Sequence, residues 1–194
     1  MIPTHRTVGK LDSRDFTGDK MTSIKLTNDF ITHTINPIYN KNSKILILGT
    51  MPSPKSREIG FYYSHPQNRF WKTIAEVLTV DCPITIEEKI DFLHTHHIAL
   101  WDVLASCKIS GADDSSIKDA VVNDFTEIFR TANIKAVFTT GKKATDLFAK
   151  HCEKKYGYKP IYLPSTSPAN CRMSQQELTA TYRAILYSNR GELQ

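Results

Sequence analysis

Aromatic and polar side chains are concentrated in one segment of this chain, residues 45–71, which reads ILILGTMPSPKSREIGFYYSHPQNRFW. Its apolar run ends at Gly49, and the irregular stretch that follows is rich in Gly, Pro and Ser. That stretch ends in a dense group of aromatic and hydrogen-bonding side chains: Phe61, Tyr62, Tyr63, His65, Asn68, Arg69, Phe70 and Trp71. Loops usually run over the surface, so such a loop either lines a pocket with its rings or covers a small core. The residues alone leave both possibilities open.

Four short apolar runs provide the elements that would position this segment, at residues 44–48, 98–101, 136–139 and 161–163. Each run is too short and too uniformly apolar for a half-exposed hairpin, which predicts buried strands of a parallel sheet. Helical patterns lie at residues 69–78, 86–94, 124–131, 142–155 and 174–188, the last behind the N-cap pair Ser174 and Glu177. The alternation predicts an α/β fold, a three-layer α/β/α sandwich with a central, mostly parallel four-stranded sheet.

Ligands of such sheets bind beyond the carboxyl ends of the strands, so four loops are expected to surround one site. The aromatic segment is the first loop. The second, DVLASCKISGADDSSIK, contains Asp113 and Asp114, which we interpret as a helix N-cap rather than as metal ligands. The third, TTGKKAT, places Lys142 and Lys143 where they either meet a phosphate or form a solvated basic turn. The fourth, PSTSPANCRMS, offers donors to a nucleic-acid backbone, unless it is only a tight turn.

Composition and charge limit the possible classes of protein. With 194 residues, 40% of them hydrophobic and 23% charged, the chain is typical of one globular domain. Its net charge of +5 favours a polyanionic partner. No apolar run approaches the ~18 residues of a membrane helix, and the polar N-terminus lacks the apolar core of a secretory signal. We therefore expect a flexible extension over residues 1–22, a single domain over residues 23–194, no membrane contact and a cytoplasmic location.

Several common site motifs are missing from the sequence. Gly49 follows a predicted strand, but neither the GxxxxGK[ST] nor the GxGxxG pattern of nucleotide-binding loops occurs. A GxSxG nucleophile elbow is also missing. The four cysteines form no CxxC or CxxH pair of the kind that binds zinc or an iron–sulfur cluster. We therefore expect no metal and no cofactor.

The register GFYYSHPQNRFW resembles the corresponding segment of the mismatch-specific uracil/thymine glycosylases, which are members of the uracil-DNA glycosylase superfamily. The motifs GTMPS, KSREIGFYYSHPQNRFW, ALWDVLASC, DSSI and PSTSPAN together are most similar to the hypoxanthine-DNA (deoxyinosine) glycosylase branch, over residues 40–185. The resemblance implies a DNA-repair enzyme that extrudes a deaminated base into a pocket and hydrolyses its N-glycosidic bond, leaving an abasic site. It also implies DNA as the partner and hydrolysis without strand cleavage. We further expect a monomer without a cofactor.

The resemblance implies roles for individual residues as well. Tyr63 occupies the position of the aromatic side chain that stacks on the extruded base, and Phe61 supports the pocket wall. Backbone groups near Thr50 and Met51 would read the base edge. Together with Lys142, the residues expected to contact DNA are Ser53, Ser165, Thr166, Ser167, Pro168 and Asn170. The two serines Ser53 and Ser165 would contact phosphates, and residues 165–170 would enter the minor groove.

Two departures from the superfamily's usual pattern bear on the chemistry. Many members carry Asp or Asn where this chain has Met51, and His or Asn where it has Leu163. Neither replacement can hold the attacking water or donate a strong hydrogen bond. In the hypoxanthine branch the catalytic amide is the asparagine of NRFW, which corresponds to Asn68. The resemblance therefore implies that Asn68 either positions the water that attacks C1′ or hydrogen-bonds the departing purine. Asn68 can also simply cap the helix that follows.

Two other functions stay open on the sequence. A uracil/thymine mismatch-specific glycosylase would share the aromatic segment and the fold. A catalytically idle nucleic-acid-binding module would share them too, because Met51 and Leu163 replace two expected polar groups. Excision measured on a panel of damaged bases separates these possibilities.

Overall fold

A parallel four-stranded sheet forms the centre of the fold. The computed structural model describes residues 29–186, so the predicted extension over residues 1–22 and the end of the predicted helix 174–188 lie outside the described residues. The strands are β1 (Asp29–Thr32), β2 (Ile45–Gly49), β3 (Ile98–Asp102), β4 (Leu104–Ser110), β5 (Asp113–Val122), β6 (Ala136–Thr140) and β7 (Pro160–Leu163). The helices are α1 (Pro54–Ile59), α2 (Phe70–Leu78), α3 (Ile86–Thr95), α4 (Thr126–Thr131), α5 (Lys142–His151), α6 (Glu153–Tyr156) and α7 (Gln175–Tyr182).

The central sheet has the strand order β3-β2-β6-β7, and all of its neighbouring strands are parallel. Ile45 of β2 pairs with Ile98 of β3 on one side and with Ala136 of β6 on the other. Every residue of β2 and β6 is buried, as expected for central strands of a sheet that is covered on both faces. The four strands predicted from the apolar runs are therefore confirmed.

Different helices cover the two faces of this sheet, because alternate side chains of a strand point in opposite directions. Ile45 and Ile47 pack in one apolar core with residues of α2, α3 and α7. Leu46 and Leu48 pack in a second core with residues of α4 and α5. The predicted three-layer α/β/α sandwich is confirmed.

A second, antiparallel sheet of strand order β1-β4-β5 lies beside the first loop. The prediction of a loop with a helix N-cap at Asp113 and Asp114 is wrong, because both residues open β5. The Asp113 carboxylate accepts hydrogen bonds from the Ser115 backbone N–H, at 2.9 Å, and hydroxyl, at 2.6 Å, so it closes the hairpin turn instead. Repeated register shifts interrupt the pairing of β4 with β5 and hide the regular alternation by which strands are recognised.

Helix ends follow the local sequence closely. Ser174 and Glu177 form the predicted capping box at the start of α7, and Thr85 with Glu88 forms another at the start of α3. The predicted helix over residues 142–155 is interrupted at Cys152, whose backbone dihedrals of φ −121° and ψ −32° separate α5 from α6. No helix within residues 29–186 is long and apolar enough to cross a membrane.

Candidate active site

An open cavity of about 1210 Å³ lies at the carboxyl ends of the parallel strands. Each of the four loops expected at this edge contributes to its lining, with Thr50 after β2, Asp102 at the end of β3, Gly141 after β6 and Ser165 after β7. The β4–β5 hairpin adds Asp114 from the side. The topology of the sheet therefore brings together residues that are distant in the sequence.

Most of the rings in the aromatic segment belong to the core and not to the cavity. Phe61, Phe70 and Trp71 are buried, and the rings of Phe61 and Trp71 stack with their centroids 5.9 Å apart. Phe61 does not line the cavity, so the assignment of Phe61 to the base pocket is corrected to a core position behind it. The rings are buried in this core because a long irregular segment needs apolar contacts to be held in place.

Tyr63 is the aromatic residue of this segment that is placed most directly for contact with a ligand. It lines the cavity, and its ring stacks on Phe70 with centroids 3.9 Å apart and an interplanar angle of 11°. Its hydroxyl forms a 3.0 Å hydrogen bond with the Thr140 hydroxyl, and its backbone has a positive φ of 51°. Burial, with the nearby carboxyl of Asp102, raises the pKa of Tyr63, so its phenol stays neutral.

The side-chain amide of Asn68 has a fixed orientation. Its Oδ1 accepts a hydrogen bond from the Phe70 N–H at 3.0 Å and another from the Thr166 hydroxyl at 2.9 Å. A backbone N–H can only donate, so the atom facing Phe70 must be the oxygen and Nδ2 must point elsewhere. Arg69 is the N-cap of α2, so Asn68 lies one position before the cap and binds the first N–H of the helix instead of capping it. Because both lone pairs of Oδ1 are used, the amide can offer a ligand in the cavity only its Nδ2 donors.

Arg69, which the sequence did not single out as a site residue, joins the first loop to the fourth. Its guanidinium donates to the Asn170 carbonyl at 2.7 Å and to the Met173 carbonyl at 2.5 Å. Its backbone N–H donates to the Thr166 carbonyl at 3.1 Å. These three bonds hold Asn68 and the fourth loop in one relative position.

The fourth loop is a set of tight turns closed by its own side chains. The Ser165 hydroxyl accepts from the Ser167 N–H at 3.2 Å, the Ser167 hydroxyl accepts from the Ala169 N–H at 3.3 Å, and the Asn170 amide donates to the Ser165 carbonyl at 2.8 Å. Ser165, Ser167 and Asn170 line the cavity, whereas Pro168 is exposed outside the lining. The tight-turn interpretation is thus correct for the geometry of this loop.

Thr166 does not fit the role of a DNA contact. Its side chain is only 1% exposed, and its hydroxyl is used by Asn68. A buried hydroxyl with its partner inside the protein cannot reach a phosphate without breaking that bond. Thr166 is therefore reassigned as a support for the amide of Asn68.

The residues that follow β2 are held by other loops. The Thr50 carbonyl accepts from the Leu104 N–H at 3.1 Å, which uses one of its two lone pairs. The Thr50 hydroxyl donates to the Asp114 carboxylate at 2.7 Å. Met51 lines the cavity with a partly buried side chain, and Ser53 lines it while capping α1 through the Ser56 N–H.

Lysines at the start of α5 supply positive charge to the cavity. Lys142 is exposed at the rim and forms an ion pair with Asp146 on the next turn. Lys143 lines the cavity and lowers the pKa of Asp114, against the larger effect of burial, which raises it. The pKa of Asp114 is nevertheless raised overall, because burial outweighs the Thr50 hydrogen bond and the charge of Lys143.

Asp102 is the residue that the sequence-based site assignment missed and the structure makes prominent. It ends β3, is only 4% exposed, and lines the cavity. Burial, with a smaller contribution from Asp114, raises the pKa of Asp102 to about 8. The signal that could have found it is its position, a carboxylate directly after an apolar strand at the ligand-binding edge.

No cluster of His, Cys, Asp or Glu within residues 29–186 is arranged to hold a metal ion. The four cysteines of the chain are free; Cys107 and Cys152 are buried, and Cys82 and Cys171 are exposed.

The fold and the cavity together define the class of α/β proteins that bind a ligand at the carboxyl edge of a parallel sheet. Comparison with known proteins identifies the family within this class. The family model described as the Uracil DNA glycosylase superfamily matches residues 37–188, and this chain belongs to that superfamily.

Relatives of this chain include two proteins named hypoxanthine DNA glycosylase. The one from Methanosarcina barkeri is 34% identical over 138 residues, which cover 70% of this chain and 86% of the relative. The one from Methanosarcina acetivorans is 31% identical over 151 residues, which cover 75% of this chain and 94% of the relative. A solved structure of similar fold is the solution NMR structure of a candidate uracil DNA glycosylase from Methanosarcina acetivorans. It has a TM-score of 0.68 and 29% identity, and it covers 81% of this chain and 99% of the other.

Proposed function

We propose that this protein is a DNA glycosylase that excises hypoxanthine, the base of deoxyinosine, by hydrolysis of its N-glycosidic bond. Membership of the uracil DNA glycosylase superfamily makes it a hydrolase of this class, and the relatives named hypoxanthine DNA glycosylase support the substrate. The observation that carries the proposal is that Asn68, whose Oδ1 is already bonded so that only Nδ2 is left to donate, lines the same cavity as Tyr63. A flat base would stack on the Tyr63 ring, and a hydrogen-bond acceptor on that base would bind the Asn68 amide.

The base must leave the duplex before it can enter the cavity. One face of the Tyr63 ring is covered by Phe70, so an extruded base would stack on the other face. Stacking of a base on an aromatic side chain contributes about 1–3 kcal/mol, which helps to offset the loss of stacking in the duplex. The Phe70 ring behind Tyr63 keeps that face in place.

Hydrolysis makes negative charge develop on the departing purine as the C1′–N9 bond lengthens. A donor placed in advance at the base stabilises this charge, and the loss of one such donor commonly costs 10²–10³ in rate. Because Oδ1 of Asn68 is already occupied by Phe70 and Thr166, we assign Asn68 to the departing base and not to the activation of water.

The rim of the cavity fits a DNA backbone. Ser53, Ser165, Ser167 and Asn170 lie at the cavity with hydroxyl and amide groups, and Lys142 adds an exposed charge. These groups would contact phosphates next to the extruded nucleotide, since phosphate contacts position a protein on DNA without reading its sequence. Exposed Pro168 would enter the minor groove beside the vacated position.

The reaction is proposed to be simple hydrolysis. Cleavage of the strand by a glycosylase requires an amine that attacks C1′ and forms a covalent intermediate. The lysines of the cavity lining lie at the start of α5, where Lys142 is paired with Asp146 and Lys143 faces the carboxylate of Asp114. Lys142 is thus held in an ion pair, and we expect abasic sites and no nicks in the absence of base or heat.

A uracil or thymine mismatch specificity is the second candidate, supported by the similar fold of the candidate uracil DNA glycosylase at a TM-score of 0.68. The test is single-turnover excision from duplexes that carry deoxyinosine, deoxyuridine, deoxyxanthosine or a G:T mismatch. We expect the fastest excision from deoxyinosine. Faster excision of uracil or thymine would establish the second candidate, and tight DNA binding without any excision would identify an idle binding module.

A further inference from the structure

The carboxyl group of Asp102 does not have all of its hydrogen bonds satisfied by residues 29–186. Its Oδ2 is buried and has no hydrogen-bond partner among the described residues. No lysine, arginine or histidine of the described part of the chain forms an ion pair with it. Buried polar atoms in native proteins nearly always have partners, and an exception calls for a reason. At a cavity wall, a ligand that supplies the missing partner is such a reason.

The groups around Asp102 disfavour its ionised form. Burial and the second carboxyl of Asp114 on β5 raise its pKa. Tyr62 and Tyr63 of the first loop lie beside it as neutral phenols. Lys143 of α5 acts on Asp114, and Thr140 of β6 is engaged with the Tyr63 hydroxyl. A carboxyl in such surroundings is a neutral acid at pH 7, as its pKa of about 8 indicates.

We propose that Asp102 is the acid of this site and donates its carboxyl proton to the departing purine base. This role rests on the proposed function, since it requires a purine in the cavity. A neutral carboxyl offers one O–H donor, whereas an ionised one only accepts. Purines carry ring nitrogens and, in hypoxanthine, a carbonyl oxygen that can accept this proton.

The proton and electron pairs balance with water as the other reactant. The C1′–N9 bond breaks, and its electron pair passes to the purine, which takes the proton of Asp102. A water oxygen bonds to C1′ and releases one proton, which returns to the Asp102 carboxylate. The products are the abasic sugar and neutral hypoxanthine, and Asp102 is again protonated for the next turnover.

The test is the single-turnover excision rate from a deoxyinosine duplex between pH 6 and pH 10. We expect the rate of the wild type to fall tenfold per pH unit above about pH 8, as the acid is lost. Asp102→Asn keeps a donor of the same shape but cannot titrate, so its rate should be lower at pH 7 and should lack this alkaline decrease. Asp102→Ala should lose at least 100-fold at pH 7 while it still binds the duplex.

Asp119→Asn is the matched control. It makes the same chemical change on an exposed carboxylate of β5, at a positive φ of 50° that asparagine adopts easily, and its pH profile should be that of the wild type. A rate that rises through pH 8 would make Asp102 a base and overturn the proposal. So would an Asp102→Ala variant with the wild-type rate, or an Asp102→Asn variant with the wild-type alkaline decrease. In each of these three cases the glycosylase function would stand. A wild type that excises none of the four lesions would overturn both.

Discussion

A Cβ atom on Gly49 would lie 2.2 Å from Oδ1 of Asp102, so the end of β2 must be a glycine for the carboxyl at the end of β3 to fit. The two residues are paired neighbours in the parallel register. Because Gly49 does not have a positive φ, space and not backbone conformation is what requires glycine here.

Gly49→Ala should therefore destabilise the protein and displace Asp102. Overpacking of a closely packed site costs about 1–3 kcal/mol, and we expect that loss in the free energy of unfolding measured with urea. Excision of the proposed substrate should fall with it. In an Asp102→Ala background the substitution should cost much less, since the clashing oxygen is gone. Additive effects of the two substitutions would show that the pair is not coupled.

Asp102→Asn should make stability less dependent on pH. The carboxyl has an ordinary pKa of 3.8 in an unfolded chain and about 8 in the fold, so between these values unfolding releases a proton. The free energy of unfolding of the wild type then falls as pH rises, by up to about 1.4 kcal/mol per pH unit, and asparagine lacks this effect. The advantage of the variant over the wild type should grow from pH 4 to pH 8 and then level off. Urea unfolding at each pH measures it, and a constant difference would contradict the raised pKa.

Asn68→Asp should separate the structural role of this residue from its proposed catalytic role. An ionised aspartate can still accept from the Phe70 N–H and the Thr166 hydroxyl, so the variant should fold as the wild type does. It loses the Nδ2 donor, and we expect a decrease in excision of 10²–10³ at pH 7. Asn68→Ala should lose both excision and some stability, because the two hydrogen bonds of Oδ1 are removed as well.

Excision by the two Asn68 variants should be measured at duplex concentrations well above their dissociation constants, so that weaker binding does not lower the rate. If Asn68→Asp excised hypoxanthine at the wild-type rate, Asn68 would hold Phe70 and Thr166 in place without a part in the chemistry.

Tyr63 should contribute its ring and not its hydroxyl. Tyr63→Phe loses the hydrogen bond to Thr140 and keeps the stack on Phe70, so binding of a deoxyinosine duplex should change little. Tyr63→Asn tolerates the positive φ of 51° but has no ring, and we expect it to weaken specific binding by about 1–3 kcal/mol, the worth of one stacked base. Binding of an undamaged duplex should not distinguish the two variants. Equal losses in both would point to the hydroxyl instead.

Local sequence patterns by themselves determined the central sheet and its covering helices. Uniform apolar runs such as residues 45–48, and capping pairs such as Ser174 with Glu177, are short-range properties that can be read without knowing the fold. The β4–β5 hairpin escaped prediction because its register shifts break the period on which such reading depends.

Only the tertiary structure decided which groups meet at the site. Thr50 and Asp114 are 64 positions apart, and Asn68 and Thr166 are 98 apart, yet each pair shares a hydrogen bond. Most aromatic residues of the first loop belong to the core, and the buried carboxyl at the cavity wall is that of Asp102. The physical reason is that the pKa of a carboxyl, and which hydrogen-bond donors of an amide are left for a ligand, depend on burial and on partners from other elements. No local pattern specifies these partners.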